Sequence, residues 1–146
     1  MNLKSECPAL RVAALLFLFS GISCGPKYHV TWEPYTEAKL NESLSAGKPA
    51  IIFFTAAWCG PCYMMKEKTF TDLKVIELLE PFTRFKADMS FQESAKVVAL
   101  SEKYDVPGLP TFLLFKPNGK PAGDARLVGF LTTEEFMAEI QKFLHS

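Results

Sequence analysis

The spacing of hydrophobic and polar residues along the chain changes several times between residue 28 and the C-terminus. Continuous apolar runs predict buried strands, and alternation predicts half-buried strands. The five predicted strands are residues 28–32, 50–55, 82–88, 111–115 and 125–130. Apolar residues that recur every three or four positions predict helices. The predicted helices are residues 36–46, 59–68, 72–79 and 94–104, with a last helix that begins after Thr132.

Capping and turn residues support these boundaries. Thr132 and Glu135 have the spacing of a capping box, and Phe136, Ile140, Phe143 and Leu144 follow on one predicted helix face. The sequence Pro117-Asn118-Gly119 predicts a hairpin turn between the last two strands. The order of the elements predicts an α/β fold with a central mixed sheet and helices on both faces.

Composition indicates a globular domain, and net charge argues against one class of partner. The chain has 146 residues, of which 49% are hydrophobic, so it is long enough for one globular domain with a sizeable core. Its formal net charge is +0, which argues against a nucleic-acid partner held by a basic field.

The N-terminus has the pattern of an export signal. Lys4 and Arg11 precede an apolar core at residues 12–19, and Gly21-Ile22-Ser23 resembles a cleavage site. We therefore expect a signal peptide at residues 1–23, a linker at 24–27 and one domain at 28–146, located in the periplasm or cell envelope. An uncleaved N-terminal anchor is the alternative.

Cleavage after Ser23 would make Cys24 the first mature residue. This resembles a bacterial lipoprotein signal, which implies acylation of the Cys24 thiol and a membrane tether. Gly21 departs from that pattern, because a large aliphatic residue usually stands three positions before the cysteine. Ordinary cleavage that leaves Cys24 as a spare thiol is the alternative.

The pair Cys59 and Cys62 carries the predicted chemistry. The sequence Trp58-Cys59-Gly60-Pro61-Cys62 follows a predicted buried strand and opens a predicted helix. A cysteine in the first helical turn gains thiolate character from unpaired N–H groups and the helix dipole. A second thiol three residues later can close a disulfide and release a product. A closed zinc site would need more ligands, and the only histidines of the sequence are His29 and His145, near the two ends of the mature chain. We therefore expect neither a metal nor a bound cofactor.

This motif, with Gly-Leu-Pro-Thr some fifty residues later, resembles the thioredoxin fold over about residues 28–146. The chain is most similar to the C-terminal periplasmic domain of the DsbD-type thiol reductase. The resemblance rests on five stretches, which are 48–49, 58–59, 69–70, 106–111 and 125–130.

The resemblance implies roles for the motif residues. Cys59 would be the exposed nucleophile and Cys62 the more buried resolving thiol. Trp58 would pack beside the pair and exclude water, with an ordinary core aromatic as the alternative. Gly60-Pro61 would restrict the turn between the thiols and favour a reducing potential.

The same resemblance extends to a second segment. Pro110 would be a cis-proline that faces the disulfide, and the Leu109 backbone would pair with an extended substrate strand. A trans proline at the start of an edge strand is the alternative.

Two positions depart from the family. Phe53 stands where these proteins usually bury an acid, six residues before the first cysteine, and Lys66 stands where the DsbD-type domain has a second acid. Phe53 would make proton removal from Cys62 harder, whereas a cation at Lys66 would lower the thiol pKa values. The alternative for Lys66 is a side chain directed to solvent.

The sequence therefore predicts an exported thiol–disulfide oxidoreductase that reduces substrate disulfides. Its expected partners are disulfide-containing exported proteins and a redox donor protein, which the resemblance allows to be membrane-bound. A dithiol oxidase or isomerase and a non-catalytic binding module of the same fold are the alternatives.

Overall fold

A computed structural model describes residues 28–118 and 123–146. The predicted signal peptide, the linker, the predicted lipidation site Cys24 and residue Gly119 of the predicted turn lie outside these ranges. Among the described residues, no helix has the length and apolar character needed to cross a bilayer.

Five strands form one mixed sheet. Their bounds are β1 Glu33–Pro34, β2 Ala50–Thr55, β3 Thr83–Asp88, β4 Thr111–Phe115 and β5 Ala125–Val128. The spatial order is β1-β3-β2-β4-β5, with β3 parallel to both β1 and β2, and β4 antiparallel to both β2 and β5. Strand β2 is therefore central, and every one of its residues is buried. The prediction of a central mixed sheet is confirmed.

The helices begin close to the predicted residues. Their bounds are α1 Glu37–Ser45, α2 Gly60–Met64, α3 Leu73–Leu78, α4 Ala95–Tyr104 and α5 Thr133–Leu144. Each has a side-chain cap from the preceding residue, and these caps are Thr36, Cys59, Asp72, Ser94 and Thr132. The capping box of Thr132 and Glu135 is present as predicted.

Helix α2 continues as a π-helical turn over Met65–Thr69, a change of period that the sequence does not predict. The helical segment that begins beside the cysteines therefore ends at Phe70, the C-cap residue of the π turn. The Phe70 N–H donates to the Met65 carbonyl over 2.9 Å, which is the five-residue spacing of a π-helix.

The predicted edge strand at residues 28–32 is wrong. The edge strand is β1, and the preceding segment instead bonds to the end of the π turn, where the Val30 N–H donates to the Phe70 carbonyl. Strand β5 ends at Val128, because Gly129 takes a positive φ of 89° and turns the chain. Leu144 is exposed rather than on the buried face of α5, because it lies in the last turn.

An aromatic cluster fills the core beneath the cysteine pair. Phe53 of β2 stacks on Phe112 of β4 with ring centroids 4.9 Å apart, and Phe70 meets both rings edge-on. Phe136 of α5 and Trp32 complete the cluster. The cluster packs α5 and the end of the π turn against the two central strands β2 and β4.

Candidate active site

Cys59 and Cys62 form a disulfide at the start of α2, with their Cα atoms 5.2 Å apart. Cys59 is the N-cap residue, and its sulfur accepts the Cys62 backbone N–H over 3.1 Å. In the reduced protein the same N–H would stabilise a Cys59 thiolate, because helix N-terminal donors favour anionic sulfur. The structure thus places the two predicted site residues together, in the arrangement that suits disulfide exchange.

The two cysteines differ little in exposure. Cys59 retains 6% of its surface and Cys62 retains none. Cys62 is the more buried of the two, as expected, but the expectation of an exposed Cys59 is wrong for the oxidised form. Its sulfur is bonded to that of a fully buried residue, which draws it towards the core. Gly60 and Pro61 are exposed beside it.

Trp58 is 55% exposed, so the alternative of a core aromatic is wrong. Its indole N–H donates to the Ser90 carbonyl over 3.1 Å. The ring is thereby fixed at the surface next to Cys59, where it offers a large apolar face.

A loop after β3 holds the two residues before Cys59. The Ser90 hydroxyl oxygen accepts the Ala57 N–H over 2.8 Å, and the Asp88 carboxylate accepts both the backbone N–H and the hydroxyl of Ser90. We call Asp88 and Ser90 together the Asp88–Ser90 bracket. Sequence reasoning missed the bracket, although an Asp and a Ser two residues apart at a strand end are a known signal of local turn bonding.

The bracket carries a charge. The hydrogen bond from the Ser90 hydroxyl, helped by the bond from the Ser90 backbone, lowers the pKa of Asp88 below its ordinary value. Nearby Lys86 and Lys66 lower the pKa further. Asp88 is therefore a carboxylate over a wide pH range, and the loop is held by charge-assisted bonds.

The segment before β4 lies across a groove from Trp58. The Leu109–Pro110 peptide bond is cis, and Pro110 is buried while Leu109 is half-buried. Trp58, Leu109 and the intervening surface of α4 line a groove of about 470 Å³. The groove is mostly apolar at its centre, with Met89 and Val97 in its floor.

Phe53 and Lys66, the two positions at which the sequence departs from the resemblance, lie next to each other. Phe53 is fully buried, and the Lys66 ammonium nitrogen lies 6.0 Å from the centre of its ring. Lys66 is half-buried, so its stem lies along the aromatic surface rather than extending freely into solvent. No carboxyl side chain occupies the position of Phe53, and the core beneath the disulfide is aromatic.

Within residues 28–118 and 123–146, no group of three or more His, Cys, Asp or Glu side chains is arranged to hold an ion. The two site sulfurs are joined to each other.

Several curated relatives of the chain are thiol:disulfide interchange proteins named DsbD. The thiol:disulfide interchange protein DsbD of Pectobacterium atrosepticum is 35% identical over 107 residues, which are 73% of this chain and 18% of that protein. DsbD of Haemophilus ducreyi is 29% identical over 150 aligned positions, covering 90% of this chain and 26% of the relative. The chain thus spans about a quarter or less of the curated relatives it matches.

Solved structures agree on the fold. A thioredoxin from Thermus thermophilus is 29% identical, with a TM-score of 0.64 over 80% of this chain and 88% of that one. The oxidised C-terminal domain of DsbD from Neisseria meningitidis has a TM-score of 0.60 over 75% of this chain and 97% of that domain, at 22% identity. The family model of the thioredoxin-like domain matches residues 36–144, most of the chain. The chain belongs to the thioredoxin-like domain family.

Proposed function

We propose that this chain is a thiol–disulfide oxidoreductase that reduces the disulfides of exported proteins through Cys59 and Cys62. The observation that carries the proposal is the disulfide at the start of α2, in which the Cys62 N–H donates to the Cys59 sulfur. DsbD-named relatives and the thioredoxin-like fold support the same chemistry.

The reaction begins with both cysteines reduced. The Cys59 thiolate attacks one sulfur of a client disulfide, forms a mixed disulfide and expels the other client sulfur as a thiolate. The Cys62 thiol loses its proton and attacks the Cys59 sulfur, which breaks the mixed disulfide and frees the second client thiolate. Two electrons pass to the client, and Cys59 and Cys62 become a disulfide. A donor protein with a dithiol returns two electrons to the pair.

The surroundings suit the two sulfurs to different steps. Cys59 is the N-cap residue and its sulfur accepts the Cys62 N–H, so it is the sulfur best stabilised as a thiolate and the nucleophile that attacks the client. Cys62 is fully buried, so it reacts only with a sulfur already brought to Cys59. Burial alone raises a thiol pKa, and the aromatic Phe53 offers no proton acceptor for Cys62.

The groove between Trp58 and Leu109 is the proposed client site. An extended client segment would lie along the Leu109 backbone and bring its disulfide to Cys59. The exposed ring of Trp58 would cover the client on its other side and exclude water from the exchanging sulfurs.

Export to the periplasm or cell envelope is the second part of the proposal. The charged start, apolar core and small residues of 1–23 support a cleaved signal, and Cys24 supports a lipid anchor. Expression of the full chain and of Cys24→Ala tests this. We expect the wild type in the membrane fraction with a mass increase at Cys24, and the variant in the soluble envelope fraction.

Trapping with Cys62→Ser tests the reductase proposal. This variant should hold client and donor proteins as mixed disulfides on Cys59, whereas Cys59→Ser should trap none. Wild-type chain should reduce insulin with dithiothreitol as donor, and Cys59→Ser should not. An inert wild type would instead indicate a binding module.

A redox titration decides the direction of transfer. A midpoint near about −270 mV supports the reductase, and one near about −120 mV supports a dithiol oxidase.

A further inference from the structure

A second pocket lies on the face of the sheet that packs against the π turn. It has a volume of about 320 Å³, and its lining includes His29, Trp32, Phe53, Lys66, Phe70 and Lys86. This volume is at the lower end of the range for small-molecule sites. The groove beside Trp58 shares no lining residue with it, so the pocket is separate from the proposed client site. We call it the Lys66–Lys86 pocket.

Contacts within the fold fix the walls of the pocket. Trp32 packs on Phe53 and Phe70, with ring centroids 5.3 Å and 5.2 Å apart. The Val30 N–H donates to the Phe70 carbonyl over 3.0 Å, which holds the segment of His29 beside the π turn. The walls are therefore in place before a ligand binds, which lowers the entropic cost of binding.

Two lysines bring positive charge to this pocket. Phe53 and Lys86 are register partners in β2 and β3, so their side chains leave the same face of the sheet. The Lys66 ammonium nitrogen lies 6.0 Å from the centre of the Phe53 ring. Among the described residues, neither Lys66 nor Lys86 takes part in a salt bridge. The two ammonium groups repel each other, and an anion between them would offset that repulsion.

The pocket offers hydrogen-bond donors and lacks negative charge. Its lining contains no acidic residue within the described part of the chain. The carboxylate that interacts with both lysines is Asp88, which lies outside the lining and is bonded to Ser90. The indole N–H of Trp32 is buried and has no acceptor among the described residues. A ligand that complements the pocket must therefore supply an acceptor and a negative charge.

We propose that the Lys66–Lys86 pocket binds a small aromatic carboxylate, with its carboxylate between the two ammonium groups and its ring against Trp32. Such a ligand matches both features of the pocket, because the lysines bind the charge and the aromatic walls contact the ring. The binding site goes beyond the proposed function and does not depend on it, since neither cysteine lines the pocket.

NMR titration of the whole chain with benzoate tests the proposal. Benzamide is the neutral compound of similar shape, and acetate is the anion without a ring. We expect benzoate to shift the amide signals of the lining residues, with a Kd in the millimolar range that suits a ligand of this size. Benzamide and acetate should each bind at least about five-fold more weakly, because each lacks one half of the recognition.

Lysine variants locate the binding site. Lys66→Met and Lys86→Met should each raise the Kd of benzoate about five-fold, the effect of one partly exposed charge pair, whereas Lys66→Arg and Lys86→Arg keep the charge and should bind more tightly than the methionine variants. Lys68→Met is the matched control, because it removes an exposed cation of the same π turn that does not line the pocket. This control should keep the wild-type Kd.

Several outcomes would overturn the proposal. The first is that benzoate shifts none of the lining residues, and the second is that benzamide or acetate binds as tightly as benzoate. The third is a wild-type Kd in Lys66→Met or Lys86→Met. The fourth is an equal rise of the Kd in Lys68→Met, which would assign the attraction to general surface charge.

Discussion

The Asp88–Ser90 bracket should make the stability of the active-site loop depend on pH. Asp88→Asn removes the charge but keeps the shape of the side chain. The carboxylate accepts two bonds from Ser90, and Ser90 in turn accepts the Ala57 N–H and the Trp58 indole N–H. The change therefore weakens a chain of bonds that ends directly before Cys59.

The magnitude follows from the number of bonds and their exposure. Two buried bonds to a charged group would contribute about 3 kcal/mol or more. Asp88 is exposed, so solvent screening reduces the expected loss to about 1 kcal/mol of unfolding free energy at pH 7. For an ordinary urea dependence of about 2 kcal/mol per molar, the midpoint should fall by about 0.5 M.

The sign of the pH dependence follows from the direction of the pKa shift. The folded-state pKa of Asp88 lies below its ordinary value of 3.8, so the ionised bracket stabilises the fold fully above that value. The contribution is lost as the pH falls through the folded-state pKa. The difference between wild type and Asp88→Asn should therefore be complete at pH 7 and should be smaller at pH 3, which lies below the ordinary pKa of the carboxyl group.

Urea unfolding of the oxidised proteins at both pH values measures this difference, and Glu93→Gln is the matched control because it removes a neighbouring exposed carboxylate. Amide exchange at Ala57 should also become about five-fold faster in Asp88→Asn, since its acceptor Ser90 is no longer held. Equal midpoints at pH 7, or a difference as large at pH 3 as at pH 7, would refute the reasoning.

Three further outcomes are expected. Lys66→Met should raise the pKa of the Cys59 thiol, because a nearby cation is lost, and thiolate absorbance measures this pKa. Lys68→Met is the control, and an unchanged pKa in Lys66→Met would remove Lys66 from the mechanism. Phe53→Ala should lower the unfolding free energy by about 3–5 kcal/mol, because it leaves a cavity in the core. The control Phe91→Ala changes an exposed ring and should cost about 0.5 kcal/mol or less, so similar losses in the two variants would contradict the packing argument. Thr132→Ala should cost about 1 kcal/mol and Thr132→Ser much less, since only the alanine removes the cap of α5; equal losses in urea unfolding would show that the hydroxyl is not the cause.

Local sequence patterns were sufficient to predict most of the strands and helices and the cysteine pair. The apolar run of β2 has the same bounds in sequence and structure, because a fully buried central strand needs no polar position. The cap of α5 was predicted because capping depends on residues three positions apart. The cysteine pair was predictable for the same reason, since both sulfurs lie within one helical turn.

Features that depend on distant residues were not predictable. The π turn occurs where Met65 and Thr69 bond to Leu131, more than sixty residues later in the chain. The predicted strand at 28–32 is wrong because Val30 bonds to Phe70 instead of to a neighbouring strand. The exposure of Trp58 depends on the Ser90 carbonyl. In each case a tertiary bond replaces the local preference.

Phe53, where the resemblance predicts a buried acid, lies in an aromatic cluster instead. The aromatic core beneath the disulfide offers no carboxyl group, and Lys66 covers the Phe53 ring. The carboxylate that interacts with Lys66 electrostatically is Asp88, which also holds the loop before Cys59. One carboxylate therefore affects both the position of Trp58 and the charge near the active-site helix. Protonation of Asp88 would weaken its bonds to Ser90 and would remove a negative charge that interacts with Lys66.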